Sequence, residues 1–340
     1  MKRKNLNALK PKNFFIQDLK FSETYKKFKS ILSHYKKNNS YAIAVSGGPD
    51  SMALAAMANH LKSQKNAKMY YLHVDHGLRK NSGKEAIRVR SLLKKKGINL
   101  RILKNKNKFK SNIQKNARDI RYKLLVNFCY QKKIKNLVTA HQKDDQIENF
   151  LIRLSRGSGV EGLSSMDYST KISKSVNLLR PFLDFKKDNL LYISAKFFKK
   201  TIKDPSNKNR KFLRTNIREL TKILEQKGLK TDQIIKSIKN ISSSKDAINF
   251  YVSRSLKKFV KFKKKETVLN LDMFKKEPKE IKFKIINNIV KNRTSSYYPP
   301  RSKKVINLIN RFEGTNLKKC TLGGCIFEKR KNLLHVTKEL

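Results

Sequence analysis

Acidic residues are scarce. The 340 residues carry 81 Lys+Arg against 25 Asp+Glu, a net charge of +56. That balance excludes an acidic surface and points to a polyanionic partner, most simply nucleic acid. A preference for Lys, Asn and Ile throughout the chain accounts for a large share of the magnitude, and RNA binding would account for a large share of the sign. Cysteine is also scarce, limited to Cys129, Cys320 and Cys325. Three thiols make no disulfide framework, which fits a reducing compartment, and the spacing of Cys320 to Cys325 is not that of a metal-ligand CxxC pair. No apolar run approaches the roughly 18–20 residues that a membrane-spanning helix needs. The basic start, Met1-Lys2-Arg3-Lys4, has no apolar signal core after it. The expectation is a cytoplasmic protein without a membrane or a stable protein partner.

One stretch organises what is there: Ser46, Gly47, Gly48, Pro49, Asp50 and Ser51. The apolar run 41–45 leads in, and an Ala/Leu/Met-rich segment, 52–61, leads out with Leu54, Met57, Ala58 and Leu61 at helical spacing. This reads as strand, tight loop, helix. The glycines permit positive φ or close approach of a ligand, and Pro49 suits a first helical position. The hydroxyls of Ser46 and Ser51, with the first helical N–H groups, can face an anion. Asp50 would repel a phosphate unless a divalent cation lay between them. A strand-to-helix turn that merely uses glycines is the plainer alternative.

Further βα units follow. Strands are expected at 69–74, 98–103 and 136–140. Ser82 and Glu85 suggest a capping box for a helix carrying Ala86, Val89, Leu92 and Leu93 and ending at Gly97. Ile113, Ala117, Ile120, Leu124 and Phe128 mark a long amphipathic helix, and Ile147, Phe150, Leu151 and Leu154 another. Strands alternating with helices imply an α/β fold, a parallel sheet with helices on both faces, whose ligands sit beyond the carboxyl ends of the strands. The loop 46–51, the segment from His73 to His76, and that from His141 to Glu148 all fall on that edge. Phe14, Phe15, Ile16, Phe21, Phe28, Ile31 and Leu32 read as a lead-in packed on the domain. A short apolar stretch at 177–182 and a helix at 188–198 follow. Residues 219–292 read as helices, with Arg254, Lys257, Lys258, Lys261, Lys263, Lys264 and Lys265 interleaved with Phe259, Val260 and Phe262. The segment 297–300 is a break. A helix near 302–312 and a hairpin turning at Gly323-Gly324 close the chain. The division expected is 1–218 (with 1–40 a basic lead-in), a helical RNA-contacting domain at 219–295, and a small α+β region at 296–340.

Several residue groups can carry chemistry. Asp145 and Glu148 share a helix face. Acids in a first turn ordinarily serve the helix dipole, but in a chain so poor in acids they also make a pair able to hold a cationic substrate or a metal. Arg118 and Arg121 share a face that is either solvated or turned to phosphate. Arg156 begins Arg-Gly-Ser-Gly, a linker or a swinging arginine.

The segments SGGPDS at 46–51, HVDHGLR at 73–79, ARDIRY at 117–122, TAHQKDDQIEN at 139–149 and RGSGVEGL at 156–163, continuing through Arg180-Pro181-Phe182 and Asp204-Pro205-Ser206-Asn207 to the run at 214–218, resemble the tRNA(Ile)-lysidine synthetase family of PP-loop ATP pyrophosphatases. The resemblance covers roughly residues 40–220. It implies a PP-loop ATPase domain, ATP on Ser46, Gly47, Gly48, Pro49, Asp50 and Ser51, and Mg²⁺ at Asp50. It implies catalytic roles for Asp50, His141, Asp145 and Glu148, and substrate contacts from Arg118, Arg121, Asp145, Glu148 and Arg156. The family's reaction is a ligation. ATP adenylates the C2 oxygen of cytidine 34 in tRNA(Ile) with a CAU anticodon, releasing pyrophosphate, and free L-lysine then attacks C2 and displaces AMP. This chain departs from the family at Gln142, where a second histidine is usual, at Asn149 in place of Thr, and at Thr215 in place of Asn. The alternatives are a PP-loop tRNA thiolase, for which only Cys129 lies in the ATPase region, and a non-catalytic RNA-binding protein.

Overall fold

The computed structural model describes residues 18–35, 40–64, 67–78, 81–105, 113–199, 213–294, 300–314 and 318–339. The expectations placed on 14–16, Arg79, 204–207 and 297–299 lie outside the described residues. The chain forms two compact units, 1–238 and 239–340.

In the first unit, α1 (Leu19–Ser33) precedes β1 (Ser40–Ala44), α2 (Pro49–Gln64), β2 (Lys68–Asp75), α3 (Ser82–Lys94), β3 (Leu100–Lys104), α4 (Ile113–Gln131), β4 (Asn136–Val138), α5 (Lys143–Leu154) and α6 (Val160–Leu163). Then come β5 (Ser169–Lys171), β6 (Asn177–Leu179), α7 (Lys187–Phe198), α8 (Leu213–Gln226) and the first turns of α9 (Thr231–Phe259), whose residues from 239 on belong to the second unit. The sheet order is β3-β2-β1-β4-β6-β5. Every pairing is parallel except that of β5 with β6. The expected α/β sheet is therefore present and two strands wider than the sequence suggested. The apolar stretch at 177–182 supplies a fifth parallel strand, three residues long, too short to declare a period of two. The core explains the sequence of α2: 52–58 are all fully buried, so that helix is apolar all round rather than striped. The capping box at Ser82 does not form. Asn81 is the N-cap, without a side-chain cap bond, and Ser82 is already helical.

The second unit is α+β. Its five-stranded antiparallel sheet runs β7 (Val260–Phe262), β8 (Glu266–Asn270), β11 (Leu333–Lys338), β10 (Cys325–Arg330), β9 (Lys319–Leu322). The helices α10 (Leu271–Lys275), α11 (Lys279–Thr294) and α12 (Ser302–Glu313) accompany it. The helix and hairpin expected after residue 300 are there, with Gly323 and Gly324 at φ of 61° and 78°, as a tight hairpin turn requires. The all-helical reading of 219–292 is corrected: β7 and β8 interrupt it. Their turn, Lys263-Lys264-Lys265, holds no Gly, Pro or Asn to announce it. Among the described residues no helix is long and apolar enough to cross a membrane.

Candidate active site

β1 delivers the loop 46–51 to the carboxyl edge of the sheet. Val45 N–H still bonds to Leu72 O at 2.8 Å; the chain then leaves the ladder through Gly47, at φ +97°, and α2 starts at Pro49. Ser51 shapes the loop from within. Its Oγ accepts the N–H groups of Ser46 and Gly47, each at 3.1 Å, and donates to Gly48 O at 2.9 Å. The Ser46 hydroxyl donates to it as well, at 3.1 Å. Ser51 is thus engaged inside the loop, while Ser46 stands exposed at the rim.

Asp50 is the most perturbed carboxyl of the edge. Burial, then the charges of Asp145 and Asp144, push it up to about 6 against the pull of Lys187 and Arg218. Its Oδ1 is buried with no hydrogen-bond partner. Three carboxylates from the first turns of α2 and α5 therefore share one neighbourhood, and one carboxylate oxygen is left without a hydrogen bond. Such a donor set fits Mg²⁺, which takes one or two carboxylates and completes its shell with water and substrate phosphates. It also fits an ammonium group. Among the described residues no group of three or more His, Cys, Asp or Glu side chains is placed to enclose a metal by itself.

The second edge segment follows β4. Gln142 caps α5: its Oε1 accepts Asp144 N–H at 2.8 Å, and Asp145 Oδ2 accepts Gln142 N–H at 3.0 Å. The departure at Gln142 has a structural use, and half of Asp145 serves the helix start. Glu148 is 3% exposed. Its Oε1 accepts from Arg218 Nε, and its Oε2 lies 3.3 Å from Arg218 Nη2 and 3.5 Å from Arg214 Nε. Burial raises its carboxyl, with the two arginines opposing. Arg214 Nη2 also reaches Asp145 Oδ1 at 3.9 Å. Glu148 therefore arrives already paired, and Asp145 Oδ1 is the more open acceptor.

His141 Nδ1 meets Thr139 Oγ1 at 2.9 Å. Burial, then Arg180, Arg118, Arg121 and Arg214, hold His141 well below its ordinary value, so it is a neutral ring at pH 7. His73 bonds through Nδ1 to Val45 O at 2.8 Å and ties β2 to β1. Arg118 and Arg121 flank the Tyr122 ring at 5.1 and 5.5 Å. Arg156 is exposed beyond the end of α5. Its neighbour Arg153 turns inward instead, donating to Gly162 O at 2.6 Å. The site residues expected from sequence thus include neither Arg180, Arg214 nor Arg218, all of which bear on this edge. The i,i+4 spacing of Arg214 and Arg218 was the available signal.

Residues 19–224 match the PP-loop domain family. The chain is 36% identical over 298 residues to the tRNA(Ile)-lysidine synthase of Wolbachia pipientis, covering 86% of this chain and 69% of that one. It is 32% identical over 327 residues to the tRNA(Ile)-lysidine synthase of Rickettsia typhi, covering 93% and 74%. Among solved structures it resembles the U34-tRNA thiolase NcsA of Methanococcus maripaludis, with a TM-score of 0.55 and 22% identity over 66% of this chain and 80% of that one. At that identity the likeness speaks for the fold alone. Taken with the loop, the carboxyl-edge cluster and the parallel sheet, these matches place the chain in the tRNA(Ile)-lysidine synthase family of PP-loop, ATP-dependent ligases.

Proposed function

We propose that this enzyme joins free L-lysine to C2 of cytidine 34 in tRNA(Ile) bearing a CAU anticodon, with ATP consumed to AMP and pyrophosphate. The observation that carries the reading is the crowding of Asp50, Asp144 and Asp145 beside the loop 46–51, in a chain with 25 acids and a net charge of +56. Such crowding is costly unless cations are bound there.

In the first step the C2 oxygen of the cytidine attacks the α-phosphorus of ATP and pyrophosphate leaves. The exposed Ser46 and the N–H groups at the start of α2 bind phosphate oxygens. Asp50 would hold Mg²⁺, which would supply charge neutralisation for the pyrophosphate. In the second step the lysine ε-amine, having lost its proton, attacks C2; the C2–oxygen bond breaks and AMP leaves. Asp145 Oδ1 orients the lysine ammonium groups, with Glu148 behind it fixing Arg214 and Arg218. Neutral His141 donates or accepts a hydrogen bond without adding charge. Arg118, Arg121 and Arg156 contact the tRNA and its phosphates. Basic residues after 219 supply much of the remaining phosphate contact.

The decisive experiment supplies labelled lysine, ATP and tRNA(Ile), and weighs nucleotide 34. Gain of a lysyl group, with AMP formed in equal amount, supports the reading. Absence of lysine from the tRNA, with sulfur gained instead and Cys129 essential, would overturn it.

A further inference from the structure

The hairpin joining β7 to β8 is built against local preference. Lys263 N–H closes it onto Glu266 O at 2.9 Å, leaving Lys264 and Lys265 at its centre. Two-residue hairpins favour positive φ and glycine or asparagine. Among the described residues, positive φ outside glycine is confined to Lys133, Lys199 and Lys331. The turn is held instead from behind by Arg293 of α11. Its Nε donates to Thr267 Oγ1 at 2.7 Å, its Nη1 to Lys264 O at 3.2 Å, and its Nη2 to Glu266 O at 2.6 Å and to Lys263 O.

The result is an ordered tip carrying Lys261, Lys263, Lys264 and Lys265, all exposed, with Phe262 44% exposed beside them. Glu266 pairs with Lys263 at 2.9 Å and with His335 at 2.9 Å. Among the described residues no carboxylate pairs with Lys261, Lys264 or Lys265. Concentrating cations at a tight turn, with a guanidinium behind them, is repulsive in the free protein. The arrangement gains when a polyanion lies across it.

We propose that this turn is a finger contacting the phosphate backbone of RNA, and that Arg293 is the residue that positions it. The partner's identity as tRNA rests on the function proposed above; the recognition is of phosphate and carries no base specificity. A lysine at 293 would keep the charge but not the planar fork that serves four oxygens at once.

The test is binding of a tRNA(Ile) transcript to the full chain, without ATP or lysine, between about 50 and 200 mM salt. Lys264→Glu/Lys265→Glu, at exposed positions, is compared with Lys275→Glu/Lys276→Glu, the same charge change at another exposed pair. The turn variant is expected to lose about tenfold or more in affinity and to flatten the log–log salt slope by about two, the control pair clearly less. Arg293→Lys, with net charge unchanged, is expected to weaken binding several-fold. A turn variant that binds no worse than the control pair overturns the finger. Because the assay contains no lysine, failure of lysine incorporation would strike the proposed reaction and leave this result standing.

Discussion

Gly47 lies against Val89: a Cβ added at 47 would come within 2.6 Å of Val89 Cγ2. The contact presses α3 onto the phosphate loop and explains why glycine, at φ +97°, is needed there on two separate counts. Gly47→Ala should therefore cost about 1–3 kcal/mol of stability through the backbone alone, and ATP-dependent pyrophosphate release should be lost. Adding Val89→Ala removes the collision but not the strain, so melting should recover only in part. Thermal melts of the two variants check this. A single variant that melts like the parent would contradict the loop geometry.

Asp50 links stability to activity. Its carboxyl titrates near 6 in the folded chain against 3.8 for an unperturbed one. Between those values the folded state holds the extra proton, so stability falls as pH rises and stays lower above about 6. Asp50→Asn removes that penalty. It should melt higher than the parent at pH 8, with the gap closing toward pH 4, while AMP formation disappears. Melting curves across that range, read beside AMP release, test both halves; a gap independent of pH would remove the electrostatic explanation.

The carboxylates of α5 should separate the two chemical steps. Asp145→Asn keeps an oxygen to accept the Gln142 N–H, yet loses the charge facing lysine. Loss of a charged hydrogen bond costs on the order of 1.5–3 kcal/mol, so the lysine requirement should rise roughly tenfold or more with pyrophosphate release preserved. Glu148→Gln should do this and also loosen α8, because Arg214 and Arg218 lose their partner. Adding Arg218→Gln should restore part of the melting temperature but not lysine use. Lysine titrations with a pyrophosphate readout distinguish the pair. Equal loss of both steps in Asp145→Asn would argue against lysine binding there.

Cys129 should be dispensable. It is fully buried in α4, and burial pushes its thiol up to about 12, leaving almost no thiolate at pH 7. Cys129→Ser should keep lysine incorporation, and alkylation of the native protein should be slow until it is unfolded. Loss of activity with the fold intact would revive sulfur transfer.

The α/β sheet through β4 was legible in the chain because β1 and β2 are largely apolar runs and α3, α4 and α5 keep a 3.6-residue stripe. The loop 46–51 was legible because phosphate binding at a strand-to-helix turn demands glycine, a hydroxyl and an early proline in that order. The strands β5 to β8 were not. β6 has three residues, and β7 and β8 meet through lysines whose turn is held by Arg293, some thirty residues later. No local rule could see that guanidinium. The same holds at the site. Sequence placed Asp145 and Glu148 on one helix face, but only the tertiary structure could show that α8 brings Arg214 and Arg218 onto Glu148, leaving Asp145 as the open acceptor. Helical spacing fixes which side chains share a face. The charge that reaches that face from a distant segment, and therefore which carboxylate remains to bind a substrate, is decided by packing.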